Sequence, residues 1–356
     1  MDKLTHTKFN LNNFLLAISN GIDCAIKKNK NGTPYSSQRV AFIALKIASL
    51  NDFTKTHLSD ILSWIILSKH TIASEREVIF PFFENEIFNN TILQQIVFVS
   101  EMVENNIEIK NNFVLNKFEI LNTIEELELD EVGEMIKENF LYLGELESFW
   151  FDLLSPRLPF FILDMLEDTT IEIEYERLLL IGKEVSKIVY KYAQRKFNTT
   201  LVENLATMCT IYNFDNKDSS RLLLSGYLHN IGLLKIPQNI LLKKEKLTPI
   251  EYEIVKGAPY YTQEILSMIF GFDDITKLAS NYAEKLDGSG YPYHRSGNEL
   301  SLKERLLTIL CLYQALSEER VYRDAFGKNE IFKILEEDGK RGELDSSVIK
   351  DIKAIL

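Results

Sequence analysis

Apolar residues recur at helical spacing along most of this chain. Between residues 12 and 26, Phe14, Leu15, Ile18, Ile22 and Ile26 fall on one side of a helix, and the polar stretch 27–34 interrupts it. A second helix begins near Ser36 and carries Val40, Ile43, Ala44 and Ile47 on one face; residues 61–67 are a third apolar run, leading to His70. Residues 117–140 set Ile120, Ile124, Leu127 and Val132 among acidic residues, which predicts an amphipathic run with a solvated face. The stretch with Phe149, Trp150, Phe151, Leu153, Leu154, Pro156, Leu158, Pro159, Phe160 and Phe161 is too apolar for a flexible linker and reads as a junction. A long helix over 171–195, with Tyr175, Leu178, Leu179, Ile181, Val185, Ile188 and Val189, opens the second half.

Boundary residues sharpen that second half. Asp218 is the expected cap of the helix leading to His229, on which Leu222, Ser225 or Gly226, and His229 share a face. Thr248, Pro249 and Glu251 form a capping box with Pro at the first helical position, and that helix must stop around 257–259. Ser301 and Glu304 form another box, starting the helix that carries Arg305 and Cys311. Between them, Asp287, Gly288, Ser289, Gly290, Tyr291 and Pro292 cannot continue a helix and must make a tight, shaped loop. No strand pattern competes, so the expected fold is all-α. The expected domains are a helical 1–148, an aromatic and proline-marked junction 149–170, and a helical 171–356.

Composition narrows the function classes. The 356 residues are 46% hydrophobic and 26% charged, enough to bury two cores. A net charge of −12 argues against nucleic acid as a general partner. The three cysteines follow no metal or redox spacing and suit a reducing compartment. No secretory segment follows Met1 and no apolar run reaches the ~20 residues of a membrane span, so the expectation is a cytoplasmic protein without a membrane partner.

The loop and its surroundings resemble the HD-GYP family of metal-dependent cyclic di-GMP phosphodiesterases. The resemblance rests on an ordered set: His229 with Ile231 and Gly232, Ile236-Pro237, Lys243, Thr248, Pro259, Glu264, the Gly-Tyr-Pro loop, Gly297, Leu302, Arg305, Tyr313, Arg320 and Tyr322-Arg323. It implies an HD-type helical bundle and a site where two or three metal ions, held by His and carboxylates, ionise a water that attacks phosphorus.

The ligand positions that this resemblance implies are mostly lost. The opening His falls on Asn198, the His-Asp pair on His229 and Asn230, and the basic residue closing that motif on Leu233. The His before Pro259 falls on Ala258, a His-His pair on Tyr282 and Ala283, and a late Asp on Cys311. One imidazole, neutral amides, a methyl and a thiol lack the anionic charge to hold two divalent cations. No cofactor is therefore expected, and iron, manganese or zinc enter only if a remodelled site uses His229 and Cys311. Read by themselves, Cys311 is a small core residue and His229 a hydrogen-bonded buried one.

The first half carries an echo of the second. The segment through Ser37, Gln38 and Arg39 up to His70 parallels the one from Thr199 to His229, and residues 95–103 can be laid on 305–313. The N-terminal half is thus expected to be a shortened, degenerate HD-like domain, or else a bundle that shares only apolar patterning.

The expected function is that of a catalytically inactive HD-GYP-like signalling protein. It acts as a protein-interaction scaffold, with the loop meeting a diguanylate-cyclase-type partner, or as a cyclic di-GMP-responsive adaptor. For the second role, Lys243, Arg295, Arg305, Arg320 and Arg323 are the available phosphate-holding groups. The alternatives are a remodelled metal-dependent cyclic-dinucleotide phosphodiesterase and a structural homodimerisation module.

Overall fold

A computed structural model describes residues 6–25, 36–51, 53–68, 91–107, 113–168, 170–319 and 323–356. His70, Arg320 and Tyr322 lie outside these, and so does the His70 arm of the internal echo. The helical periodicities become helices, and the chain divides into two compact units, 10–170 and 1–9 with 171–356.

In the unit 10–170, α1 (Leu11–Ala25), α2 (Ser36–Ser49), α3 (Lys55–Ser68) and α4 (Thr91–Asn105) come first. They are followed by α5 (Phe113–Glu125), α6 (Glu131–Glu145), α7 (Glu147–Leu153) and α8 (Leu158–Met165). Helix α2 is apolar on nearly all sides because α3, α4 and α8 pack around it. At its start Arg39 forks onto Glu104 of α4 at 2.8 and 2.7 Å, both side chains almost fully buried. A charge taken that far from water persists only with so complete a partner. The acidic run 117–140 is two helices, separated where Asp130 caps α6 through the Gly133 N–H. Ile120, Ile124, Ile136 and Phe140 face inward, and Glu125, Glu126 and Glu128 face solvent. Phe149, Trp150, Leu158 and Ile162 are buried in this same unit.

The second unit opens on a ribbon that the sequence pattern did not predict. β1 (His6–Asn10) pairs with β2 (Thr170–Glu174), and Phe9 packs on Phe272 with ring centroids 6.4 Å apart. The expected 171–195 helix therefore starts later, as α9 (Tyr175–Tyr192). The short alternation Thr170, Ile171, Glu172, Ile173 suits a half-buried strand, with Ile173 inward. Then come α10 (Thr200–Ile211), α11 (Asn216–Leu228), a 3₁₀ turn (Ile231–Lys235), α12 (Gln238–Leu241), α13 (Pro249–Lys256), α14 (Ala258–Leu266) and α15 (Asp273–Ser280). After the loop follow α16 (Leu302–Ser317), α17 (Lys328–Lys340) and α18 (Ser346–Ile355). One core joins α10, α16, α17 and α18 through Leu205, Leu306, Leu310, Leu335 and Ile352. The fold is all-α apart from the ribbon.

Candidate functional site

His229 is carried to its place by α11. The helix starts at Asp215, whose carboxylate accepts the Asp218 N–H, so the cap is Asp215 and not Asp218. Asp218 sits one turn in, pairing with Lys303 at 2.5 Å. Leu222, Ser225 and Gly226 face inward and bring His229 to the end of the helix, 6% exposed.

Behind His229 the chain turns tightly. Gly232 touches α14 so closely that a Cβ there would lie 2.0 Å from the Ala258 carbonyl oxygen and 2.6 Å from the Thr262 nitrogen. Thr262 Oγ1 donates to the His229 carbonyl at 2.8 Å and accepts the Gly232 N–H at 3.1 Å, fixing the turn to α14. Asn230 caps the 3₁₀ turn, and Leu233 is buried in it.

His229 Nδ1 donates to the Gly226 carbonyl at 2.7 Å, which leaves the lone pair of the neutral ring on Nε2. That is the orientation a metal-ligating imidazole needs. Among the described residues, the other positions of the resemblance supply no second imidazole. The Tyr282 ring meets the His229 ring edge to face, centroids 5.1 Å apart, and burial pushes its phenol well above the ordinary range. Ala283 contributes only its carbonyl, which accepts the Tyr291 N–H at 3.2 Å. Ala258 is a buried methyl at the start of α14. Cys311 is buried in the core, and burial followed by the charge of Glu318 pushes its thiol far up, away from the thiolate a metal requires.

Asn198 takes part in a polar network that the sequence reading did not anticipate. Its amide donates to Glu318 Oε1 at 3.2 Å and accepts from Gln314 at 2.8 Å, while Gln314 and Tyr190 also donate to Glu318, at 2.5 and 3.4 Å. Glu318, the carboxylate of this network, thus has Tyr190, Asn198 and Gln314 among its donors. Gln314, one turn beyond Cys311, was its only sequence signal. Among the described residues, no three His, Cys, Asp or Glu side chains converge as a metal site would require. The donor set does not fit the binuclear centre that the family resemblance implies: one imidazole, two amides, a phenol, a protonated thiol and a single carboxylate, Glu318, already engaged by Tyr190, Asn198 and Gln314, supply too little negative charge.

The loop is built as tightly as its sequence suggested. Asp287 Oδ1 accepts the Ser289 N–H at 3.0 Å and its hydroxyl at 2.8 Å, and these bonds hold its carboxyl below the usual range. Gly288 has φ +79° and Gly290 is pressed against the backbone of Glu284, where a Cβ would lie 2.4 Å from the Glu284 Cα. Fully buried Glu284 accepts the N–H groups of Tyr293 at 2.8 Å and Arg295 at 3.0 Å. The Tyr291–Pro292 peptide is cis, and the Tyr291 ring is mostly packed, its phenol pushed up to about 12 by burial. Lys285 pairs with Glu343 at 2.5 Å, tying the loop to the segment after α17.

The basic candidates divide. Lys243 is taken by both oxygens of Glu251, at 2.8 and 2.6 Å. Arg305 donates to the Leu300 and Gly297 carbonyls at 2.9 and 2.7 Å and pairs with Asp345 at 3.2 Å. Arg323 donates to the carbonyls of Ala315, Leu316 and Asp324 and lies 4.6 Å from the Phe326 ring centre. Arg295 differs: its guanidinium lies 5.2 Å from the Tyr293 ring centre, and its buried Nε has no hydrogen-bond partner.

Residues 182–348 match the HD domain family. A 3′3′-cGAMP-specific phosphodiesterase of Vibrio cholerae is 37% identical over 127 residues, which make up 36% of this chain and 30% of that protein. A cyclic di-GMP phosphodiesterase of the same organism is 32% identical over 138 residues, 37% of this chain and 28% of that protein. The similar stretch therefore spans less than a third of these relatives' own length. A crystal structure of a cyclic GMP-AMP-specific phosphodiesterase from V. cholerae matches 98% of this chain and 99% of its own with a TM-score of 0.57 at 16% identity, a likeness of fold.

Proposed function

Since the second half of this chain is an HD domain of the HD-GYP group, we propose that it serves cyclic-dinucleotide signalling by binding and not by cutting. It is then an inactive adaptor that responds to cyclic di-GMP or to 3′,3′-cGAMP, the molecules acted on by its relatives. The observation that carries the reading is the Tyr282 ring against His229, where the family resemblance calls for a second imidazole. Hydrolysis of a phosphodiester in this family draws on a metal-activated water. Among the described residues the ring seen against His229 is the neutral Tyr282 phenol, and the Glu318 carboxylate is engaged by Tyr190, Asn198 and Gln314. The reading also implies a reducing, cytoplasmic setting, in keeping with the lack of any disulfide among the described residues, where also no helix is long and apolar enough to cross a membrane.

Two measurements on one preparation test this. Both cyclic dinucleotides are incubated with the full chain and excess Mn²⁺ or Fe²⁺, and linear products are followed by chromatography. In parallel, binding is measured by calorimetry at two salt concentrations. The expected result is saturable, salt-weakened binding with no turnover above the buffer rate. Metal-dependent turnover would replace this reading with that of a remodelled phosphodiesterase. Absence of binding together with a stable homodimer would leave the dimerisation module.

A further inference from the structure

The loop presents a preformed surface that none of the metal positions explains. Buried Glu284 fixes the backbone of both Tyr293 and Arg295, so these side chains leave one rigid platform. The Arg295 guanidinium lies over the Tyr293 ring at 5.2 Å, with its Nε buried and unpartnered. No carboxylate lies within 4 Å of Arg295 among the described residues, whereas Lys243 and Arg305 are committed to acids. Glu299, within electrostatic reach, is held by the Ser296 N–H and hydroxyl at 2.8 and 3.1 Å. Tyr260 is close enough to Tyr293 to influence its ionisation, and the two residues are 50% and 38% exposed.

Lys256, paired with Glu253 at 2.7 Å, lies 5.2 Å from the Tyr252 ring centre and 5.9 Å from that of Tyr291. Tyr291 is near both Tyr252 and Tyr282, the ring that packs on His229. Exposed Tyr252, Tyr260 and Tyr293 thus lie close to the cations Lys256 and Arg295.

We infer that Arg295, Tyr293 and Tyr260 form a binding site for a purine nucleotide phosphate at the loop, built from residues other than the positions where the resemblance puts metal ligands. The terminal nitrogens of the guanidinium take two phosphate oxygens, and the purine stacks on an exposed tyrosine ring. This rests on the reading that the domain binds a cyclic dinucleotide without cutting it.

The test titrates cyclic di-GMP and 3′,3′-cGAMP into the full chain and into Arg295→Ala, Arg295→Lys, Tyr293→Leu and Tyr260→Leu, with GMP and inorganic phosphate as smaller probes. Arg295→Ala and Tyr293→Leu are each expected to weaken the dinucleotide about tenfold or more. Arg295→Lys falls in between, because a lysine keeps the charge and loses the fork. Thermal midpoints that match the wild type, and a surface control, Lys340→Ala, that binds normally, separate these losses from misfolding. GMP is expected to bind more weakly through the same residues, and phosphate alone weakest. Wild-type affinity in Arg295→Ala and Tyr293→Leu, with loss in Tyr282→Ala instead, would overturn the inference and leave the adaptor reading standing. A wild-type chain that binds neither dinucleotide would remove both.

Discussion

The rings of His229 and Tyr282 meet edge to face with centroids 5.1 Å apart. The pair occupies a position where the HD-GYP resemblance calls for two metal-ligating imidazoles, and it converts a polar contact into a packing contact. Tyr282→Phe is expected to change stability by less than about 0.5 kcal/mol, because the hydroxyl makes no hydrogen bond among the described residues. Tyr282→Ala is expected to cost about 3 kcal/mol through the cavity it leaves. Urea unfolding followed by circular dichroism checks both, and equal costs for the two variants would mean that the hydroxyl, and not the ring, holds the site.

Glu284 makes the loop a fixed shape. A carboxylate with two backbone N–H donors cannot be exchanged for an amide without setting an NH₂ against a donor. Glu284→Gln is therefore expected to cost about 2 kcal/mol, a buried group left unsatisfied. It should also raise amide hydrogen exchange at Tyr293 and Arg295 while leaving α16 protected. Exchange unchanged at those two amides would show that the loop is held by other contacts.

Gly232 allows the turn after His229 to lie on α14. With a Cβ placed 2.0 Å from the Ala258 oxygen, Gly232→Ala must push backbone against backbone. The expected cost is about 3 kcal/mol, measured as the shift of the urea midpoint. A loss under about 1 kcal/mol would mean that the turn and α14 separate easily.

Acid sensitivity should report on the Lys285–Glu343 tie. The Arg341 guanidinium, then Lys285, holds the Glu343 carboxyl down to about 2, below its unfolded value. A depressed carboxyl contributes stability that is present above the unfolded pKa and is lost as pH falls through the folded one. The stability gap between wild type and Glu343→Gln should thus be constant above about pH 5 and shrink steadily toward pH 2. A gap independent of pH over that range would show that Glu343 acts by packing alone.

Thiol reactivity distinguishes packing from ligation at Cys311. Burial pushes the thiols of Cys311 and Cys209 up, so neither should react with a thiol-specific reagent at pH 8 until the chain unfolds, while half-buried Cys24 reacts first. Rapid native-state labelling of Cys311 would show an ionisable, accessible thiol fit for zinc or iron.

Much of this was legible in the sequence. The capping boxes at Thr248 and Ser301 form as the residue types dictate, because an N-cap hydroxyl and a Glu three positions on satisfy each other's donors locally. The ordered motif set from His229 through the Gly-Tyr-Pro loop placed the HD domain. Contacts distant in the chain were not legible. Asn198 was read as a lost ligand, yet it bonds Gln314 and Glu318, more than a hundred residues away. Arg305 was a phosphate candidate, and its guanidinium is taken by Gly297, Leu300 and Asp345. The 170–174 strand escaped notice because five alternating residues before a long helix resemble its first turn. Asp215 and Asp218 are both acceptable caps by type, and only the helix start decides between them.

The central claim is that the His229 corner cannot assemble a catalytic metal centre. The most direct measurement is elemental analysis of the full chain after equilibrium dialysis against Mn²⁺, Fe²⁺ or Zn²⁺ under reducing, anaerobic conditions, repeated with His229→Ala. The account predicts far less than one metal per chain and the same residual content in the variant. Two metals per chain that disappear with His229→Ala would contradict it.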